Sequence, residues 1–268
     1  MTGQERLRFI RAKIARAKKH VSELERAAHA FLRSRPYEVS GEQDPQTGEV
    51  VYRAVKVDDV PPSIAAISAD ALQNLKGALD HLACDLVEIS GHHVERNTGF
   101  PIFASLGIYK AQASEKMRGM PRDVVEAIEA IKPYKGGNQV LWRLHSLNNV
   151  NKHRLLNIVG LASRFQSVTP SVLAYLRREW SHRYGAWPAP EAAPDDLIEY
   201  DRWHLPLKKG DVLFTLLPGV AAESTVSFTF DIAFCDAKVA ERSPLLAQVG
   251  EMTEAVEGII ASFEPYFV

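Results

Sequence analysis

The sequence predicts an α+β protein: a bundle of long helices packed on an antiparallel sheet formed mainly by the C-terminal third plus an early hairpin. Three observations carry that expectation. Residues 7–31 and 64–89 repeat apolar side chains at steps of three and four, the period of a helix face. Residues 224–234, STVSFTFDIAF, alternate apolar and polar without a break, as a half-buried strand does. YEVS and EVVYRAVKV flank GEQDPQTG, whose Asp-Pro and Thr-Gly supply turn chemistry for a hairpin.

In chain order, Leu7, Ile10, Ile14, Ala17, Val21, Leu24, Ala28 and Phe31 form a heptad seam on the first helix, which Pro36 stops. Residues 1–35 hold ten Lys/Arg and three Glu, a net of +7. Such a face is either solvated around its seam or attracts an anion or nucleic acid, although only Phe9 precedes Phe31 as an aromatic for base stacking. After the hairpin, Pro61-Pro62-Ser63 opens a second helix that runs to about Ser90 and stops at Gly91. Ile64, Ile67, Ala71, Leu75, Leu79, Leu82, Leu86 and Ile89 form its apolar stripe. A loop over HHVERNTGFPIF leads to helical segments near 107–118 and 121–132, the second started by Pro121 at its first position. Gly136-Gly137 is a joint, and Asn138 caps the helix that ends in NNVNKHRLL.

The last third is different. APEAAPDDLIEYD reads as an acidic surface linker, followed by strands over RWHLPL, DVLFTLL and STVSFTFDIAF. In the last of these Val226, Phe228, Phe230, Ile232 and Phe234 point inward. Ser243-Pro244 starts a closing helix with a seam of Leu245, Val249, Met252, Val256, Ile259 and Phe263. The whole is expected as a single domain, 1–268. Its helical part covers about 1–35 and 61–160, its sheet-rich part about 36–60 and 199–235, and its closing helix 243–264. The first and last helices, one basic and one bearing Glu251, Glu254 and Glu257, are expected to pack on each other or on their copies in a homodimer.

Composition narrows the function classes. A net charge of −1 offers no global field for nucleic acid or membrane. No stretch approaches the roughly 18 apolar residues of a membrane span, and the N-terminus has no apolar signal region. Cys84 and Cys235 make neither a disulfide framework nor a metal-type pair, so a cytoplasmic location is expected. HExxH, CxxC, P-loop, dinucleotide and Gly-x-Ser-x-Gly patterns are absent, so no cofactor or metal is expected, with a zinc or iron site from His81, Asp85, His145 and His153 as the runner-up by ligand type. His92-His93 with Glu95 reads as a solvated loop, and Cys84 as packed rather than nucleophilic. Trp180, Tyr184, Trp187 and Trp203 would form a satellite core or line a small-molecule pocket.

Polar residues fall on two helix faces. Asn74, Gly77, His81, Asp85 and Glu88 share one face of the second helix, about 100° from its core stripe. Trp142, His145, Asn149 and His153 share a face of the helix after Asn138. If the two faces meet, His81 oriented by Asp85 is general base or acid and His153 its counterpart. Asn74, His145 and Asn149 then line the substrate, and Lys152 with Arg154 clamp an anion. The expected activity is metal-independent hydrolysis of a phosphodiester or nucleotide. The alternative is a non-catalytic ligand-binding or self-associating protein whose polar stripes form a buried network. Polar residues at a helix end also satisfy its last carbonyls, which needs no site at all.

ALQNLKGALDHLACDLV, FPIF and LWRLHSLNNVNKHRLL resemble a set of bacterial hypothetical proteins that share A-L-D-H-L and L-x-N-x-x-K-H-R blocks, over roughly residues 65–160. The resemblance implies no catalytic residues. Lys76-Gly77-Ala78-Leu79-Asp80-His81 is more distantly similar to the Arg-polar-x(4–6)-His motif of HEPN-type helical ribonucleases. Lysine stands here for the arginine and glycine for the polar residue, and lysine lacks the fork that grips phosphate bidentately. That similarity implies nuclease action on the helix carrying His81.

Overall fold

The computed structural model describes residues 1–165, 178, 206–216, 228–235 and 243–267. The expected acidic linker, Trp180, Tyr184, Trp187, Trp203 and Val226 lie outside them. The elements are α1 (Gly3–Arg33), β1 (Tyr37–Gln43), β2 (Val50–Val57), α2 (Pro62–Ile89), α3 (Leu106–Lys116), α4 (Arg122–Ile131), α5 (Gln139–Asn151), β3 (Ile158–Phe165), β4 (Val212–Leu216), β5 (Phe228–Phe234), α6 (Leu245–Phe263) and a 3-10 turn, Glu264–Phe267. The chain is α+β, with the early hairpin and the C-terminal strands in antiparallel sheets. It forms two compact units: the described residues within Met1–Ala28, Pro61–Asn157 and Asp236–Val268, and those within His29–Val60 and Ile158–Cys235.

The first unit is helical. Thr2 and Glu5 close a capping box at the start of α1, Glu5 N–H donating to Thr2 Oγ1 and Thr2 N–H to Glu5 Oε2. Leu7, Ile10, Ile14, Ala17, Leu24 and Ala28 are buried along the seam; Val21 is half-buried and His20 beside it buried. Every seam residue of α6 is buried as well. Arg11 reaches Glu264 at 2.5 Å and Lys18 reaches Glu257 at 2.6 Å, so the first and last helices are neighbours within one chain. Exposed pairs of this kind add about 0.2–1 kcal/mol each, so the apolar seams dominate. The α2 stripe is buried except for half-buried Ile67 and exposed Ile89, and Gly91 leaves the helix at φ +80°. Pro121 is the N-cap of α4 rather than its first helical residue. Asn138 Oδ1 accepts the Leu141 N–H at 3.0 Å and caps α5 as expected.

The second unit holds the strands. β1 pairs antiparallel with β2 from Tyr37↔Val57 to Gln43↔Val50, so the first strand runs on through Gly41 and the turn shrinks to 44–49. Asp44 Oδ1 stabilises that turn by accepting the Gln46 N–H at 2.7 Å. Among the described residues there are two sheets where one was expected: β1-β2-β4 and β3-β5. They meet through aromatic rings, Tyr37 with Phe230 at 5.3 Å and Tyr52 with Phe228 at 5.7 Å between centroids. Phe228 and Phe230 are half-buried, while Ile232, Ala233 and Phe234 are buried. β3 lies inside and beyond what the sequence pattern assigns to the helical part. Ile158, Val159, Gly160 and Leu161 are all buried, so this first half of the strand has no alternation to announce it.

Candidate functional site

α2 carries polar residues on both flanks of its apolar stripe, and each flank meets a different helix. Asn74, His81 and Asp85 line a groove of about 470 Å³ against α1, opposite Phe9, Ala12, Lys13 and Arg16. Asp85 does not orient His81. Its Oδ1 accepts from Arg6 Nη1 at 2.6 Å, and Glu88 on the same face also binds Arg6. The reason lies in the basic composition of α1, which delivers an arginine to the carboxylate before the imidazole one turn away can use it.

The α5 stripe meets the other flank. A residue advances about 100° around a helix, so Lys76 sits about 140° from His81 on the side away from the core stripe, and the two flank that stripe from opposite edges. Lys76 is 8% exposed and its Nζ donates to Asp80 Oδ1 at 2.5 Å. The same oxygen accepts the Phe100 N–H at 3.1 Å. A Cβ on Gly99 would stand 3.1 Å from Asp80 Oδ1 and 3.9 Å from Lys116 Nζ, so the glycine lets the loop pass between carboxylate and ammonium. On α5, half-buried His145 places Nε2 2.9 Å from Asn149 Nδ2. The amide donates and the ring accepts, which puts the ring proton on Nδ1, buried without a hydrogen-bond partner.

No family model, curated protein or solved structure matches the chain. The site therefore rests on its own physics.

The electrostatics tie these groups together. Burial, then the charge of Lys76, push His145 down to about 4, with Lys152 and Lys116 acting the same way and Asp80 opposing. Burial also lowers Lys76; Asp80 works against that, and Lys116 and Lys152 add to it. Lysines from α2, α3 and the end of α5 thus act on one neutral imidazole, with the Asp80 carboxylate opposing them. Lys116 and Lys152 make no ion pair among the described residues. The negative pole of a helix end explains a lysine at the close of α3 or of α5. It does not explain why both fields reach one half-buried imidazole.

The expected site residues are therefore divided. Asn74, His81 and Asp85 belong to the α1 groove, whereas His145, Asn149 and Lys152 belong to the cluster with Lys76. The groove lining holds Asn74, His81 and Asp85 but none of the α5 stripe, while His145 is influenced by Lys76 and Asp80 on another flank of α2. His153 and Arg154 are exposed just past α5. Lys76, Asp80 and Lys116 were not singled out as site residues. The i, i+4 spacing of Lys76 and Asp80 was a legible signal, but their flank could not be told from a solvated one. Burial raises the Cys84 thiol, as do Asp80, Asp85 and Glu88, which fits a packed cysteine rather than a nucleophile.

Proposed function

We propose that this protein binds a phosphate-bearing ligand, a nucleotide or a phosphodiester, on the α2–α5 face. One observation carries the reading: the charges of Lys76, Lys152 and Lys116 all act against protonation of His145, with Asp80 opposing them. Three ammonium groups and one carboxylate leave two positive charges uncompensated. Like charges in one neighbourhood repel, and Lys116 and Lys152 both work against the charge of Lys76. A bound phosphate reverses the sign of that interaction. Asp80 holds the Lys76 ammonium in place, Lys116 and Lys152 meet the anion from α3 and α5, and Asn149 keeps the His145 ring oriented.

An anion beside His145 also favours its charged form, so binding raises its pKa toward neutrality and takes up a proton. Hydrolysis of the ligand would draw on that imidazole for proton transfer, in place of the His81–His153 pair expected from sequence. A closed structural network is the alternative, favoured by the His145–Asn149 hydrogen bond. The Asp80 side chain, 42% exposed, opens the cluster to solvent and argues for a ligand.

The test is an NMR titration of His145 with inorganic phosphate, AMP and a dinucleotide. The reading expects saturable shifts of the His145 ring, a raised pKa in the complex, and at least tenfold weaker binding in K116A/K152A. A ring that ignores all three at millimolar concentration rules it out.

A further inference from the structure

The groove between α1 and α2 is a cavity in its own right, independent of the lysine cluster. Its volume of about 470 Å³ falls in the range of roughly 300–1,000 Å³ found for small-molecule sites. The α1 wall sets an apolar patch beside two cations. Phe9 and Met1 are 60% and 68% exposed, a ring and a thioether left in water beside Ala12. The α2 wall is polar, with Asn74 and His81 one turn to either side of Gly77.

Charge in the groove is one-sided. Its single carboxylate, Asp85, is already matched by Arg6 at 2.6 Å. Lys13 and Arg16 line the same groove and make no ion pair among the described residues, although Arg6, Arg11 and Lys18 of the same helix all do. Lys13 Nζ lies 3.5 Å from where a Cβ on Gly77 would stand, so the ammonium lies across bare helix backbone. At that distance an added methyl group makes ordinary contact, so packing within the chain does not demand the glycine. The glycine instead leaves a floor without a side chain beneath an unpaired cation, next to an exposed phenyl ring.

We propose that this groove binds a small organic anion with a flat apolar body, an aromatic carboxylate or sulfonate. The acidic head lies over Gly77 and pairs with Lys13 and Arg16, while the ring covers Phe9 and Ala12. The apolar patch disfavours a bare inorganic anion, and the two unmatched cations disfavour a neutral aromatic. Covering Phe9 and pairing Lys13 are gains a ligand must combine to bind well, which makes affinity depend on both ends of the molecule.

The experiment uses the full chain with 2-naphthoate and its uncharged counterpart 2-naphthylmethanol, followed by amide NMR shifts. Naphthoate is expected to saturate shifts at residues 9–16 and 74–81, and the alcohol to bind at least tenfold more weakly. K13A/R16A and F9A should each weaken naphthoate at least fivefold, and R16A alone, at an exposed position, should weaken it with an unchanged melting temperature. K116A/K152A should leave naphthoate binding as it is, which separates this site from the phosphate site. Equal binding of acid and alcohol, shifts confined to other residues, or wild-type affinity in K13A/R16A each overturn the assignment. A single-stranded oligonucleotide that takes the same residues more tightly than naphthoate overturns it too.

Discussion

Acidification should cost this protein stability before its carboxylates begin to protonate, and His145→Gln should remove that loss. His145 titrates at about 4 in the folded chain, because burial and then Lys76 oppose its charge, against 6.5 for a free imidazole. A base whose folded pKa is depressed is protonated first in the unfolded chain. Between pH 6.5 and 4 the unfolded state therefore holds more protons, and stability falls as pH falls through that window. The full difference is worth about 3 kcal/mol, at about 1.4 kcal/mol per pH unit, and about 2 kcal/mol of it is gone by pH 5. Above pH 6.5 the contribution is nearly complete. Glutamine places an amide oxygen near the position of Nε2, so Asn149 keeps its acceptor while the titration disappears. Urea unfolding of both proteins between about pH 7.5 and 5, at constant ionic strength, reads the difference. Parallel stability curves, or a His145 pKa near that of a free imidazole by NMR, would refute the reasoning. AMP should flatten the wild-type curve, since an anion beside the imidazole lifts its pKa.

Gly77→Ala should raise stability by about 1 kcal/mol in chemical denaturation, since a helix-interior glycine gains that much as alanine and the new Cβ meets only the flexible Lys13 stem at 3.5 Å. Arg6→Ala strands the Asp85 carboxylate, 13% exposed, and should cost about 2 kcal/mol, a fall of roughly 4–8 °C in melting temperature. Adding Asp85→Asn to it should recover part of the loss. In the second unit, Tyr37→Phe should be neutral or stabilising by up to about 1 kcal/mol, because the buried hydroxyl has no partner. Gly160→Ala should destabilise, as its Cβ would stand 2.6 Å from the Tyr37 ring.

The elements that could be read from sequence are those with one wet face. α1, α2 and α6 each show a dry stripe and a charged remainder, and their seams were legible almost residue by residue. β5 alternated in sequence from Phe228 to Asp231, yet Thr229 and Asp231 are as half-buried as the two phenylalanines, so its position as a strand was legible while its wet face was not. β3 escaped because four successive residues from Ile158 are buried and leave no period to detect. The division of the strands between two sheets was equally hidden. Tyr37 packs over Gly160, a contact between segments far apart in sequence that no local pattern encodes.

The site was legible as chemistry but not as pairing. Periodicity correctly put Asn74, His81 and Asp85 on one face of α2, and His145 and Asn149 on one face of α5. What it could not supply is the flank that each neighbouring helix takes. A stripe displaced by about 100° from the core borders the interior on one side only, and the helix covering that border decides which polar groups meet. Here α1 covers the His81 flank and brings Arg6 to Asp85, which disperses the expected imidazole–carboxylate pair. α5 covers the opposite flank and brings His145 to Lys76 and Asp80. Each encounter joins residues more than sixty positions apart, with no spacing rule to connect them. The consequence is directional. On the α1 side Asp85 and Glu88 are both taken up by Arg6, and Lys13 and Arg16 make no ion pair among the described residues. On the α5 side Asp80 pairs with Lys76, and the charges of Lys116 and Lys152 add to the field. Both flanks of α2 therefore carry cations beside polar groups already held in place, which is why an anion is the partner we propose for each.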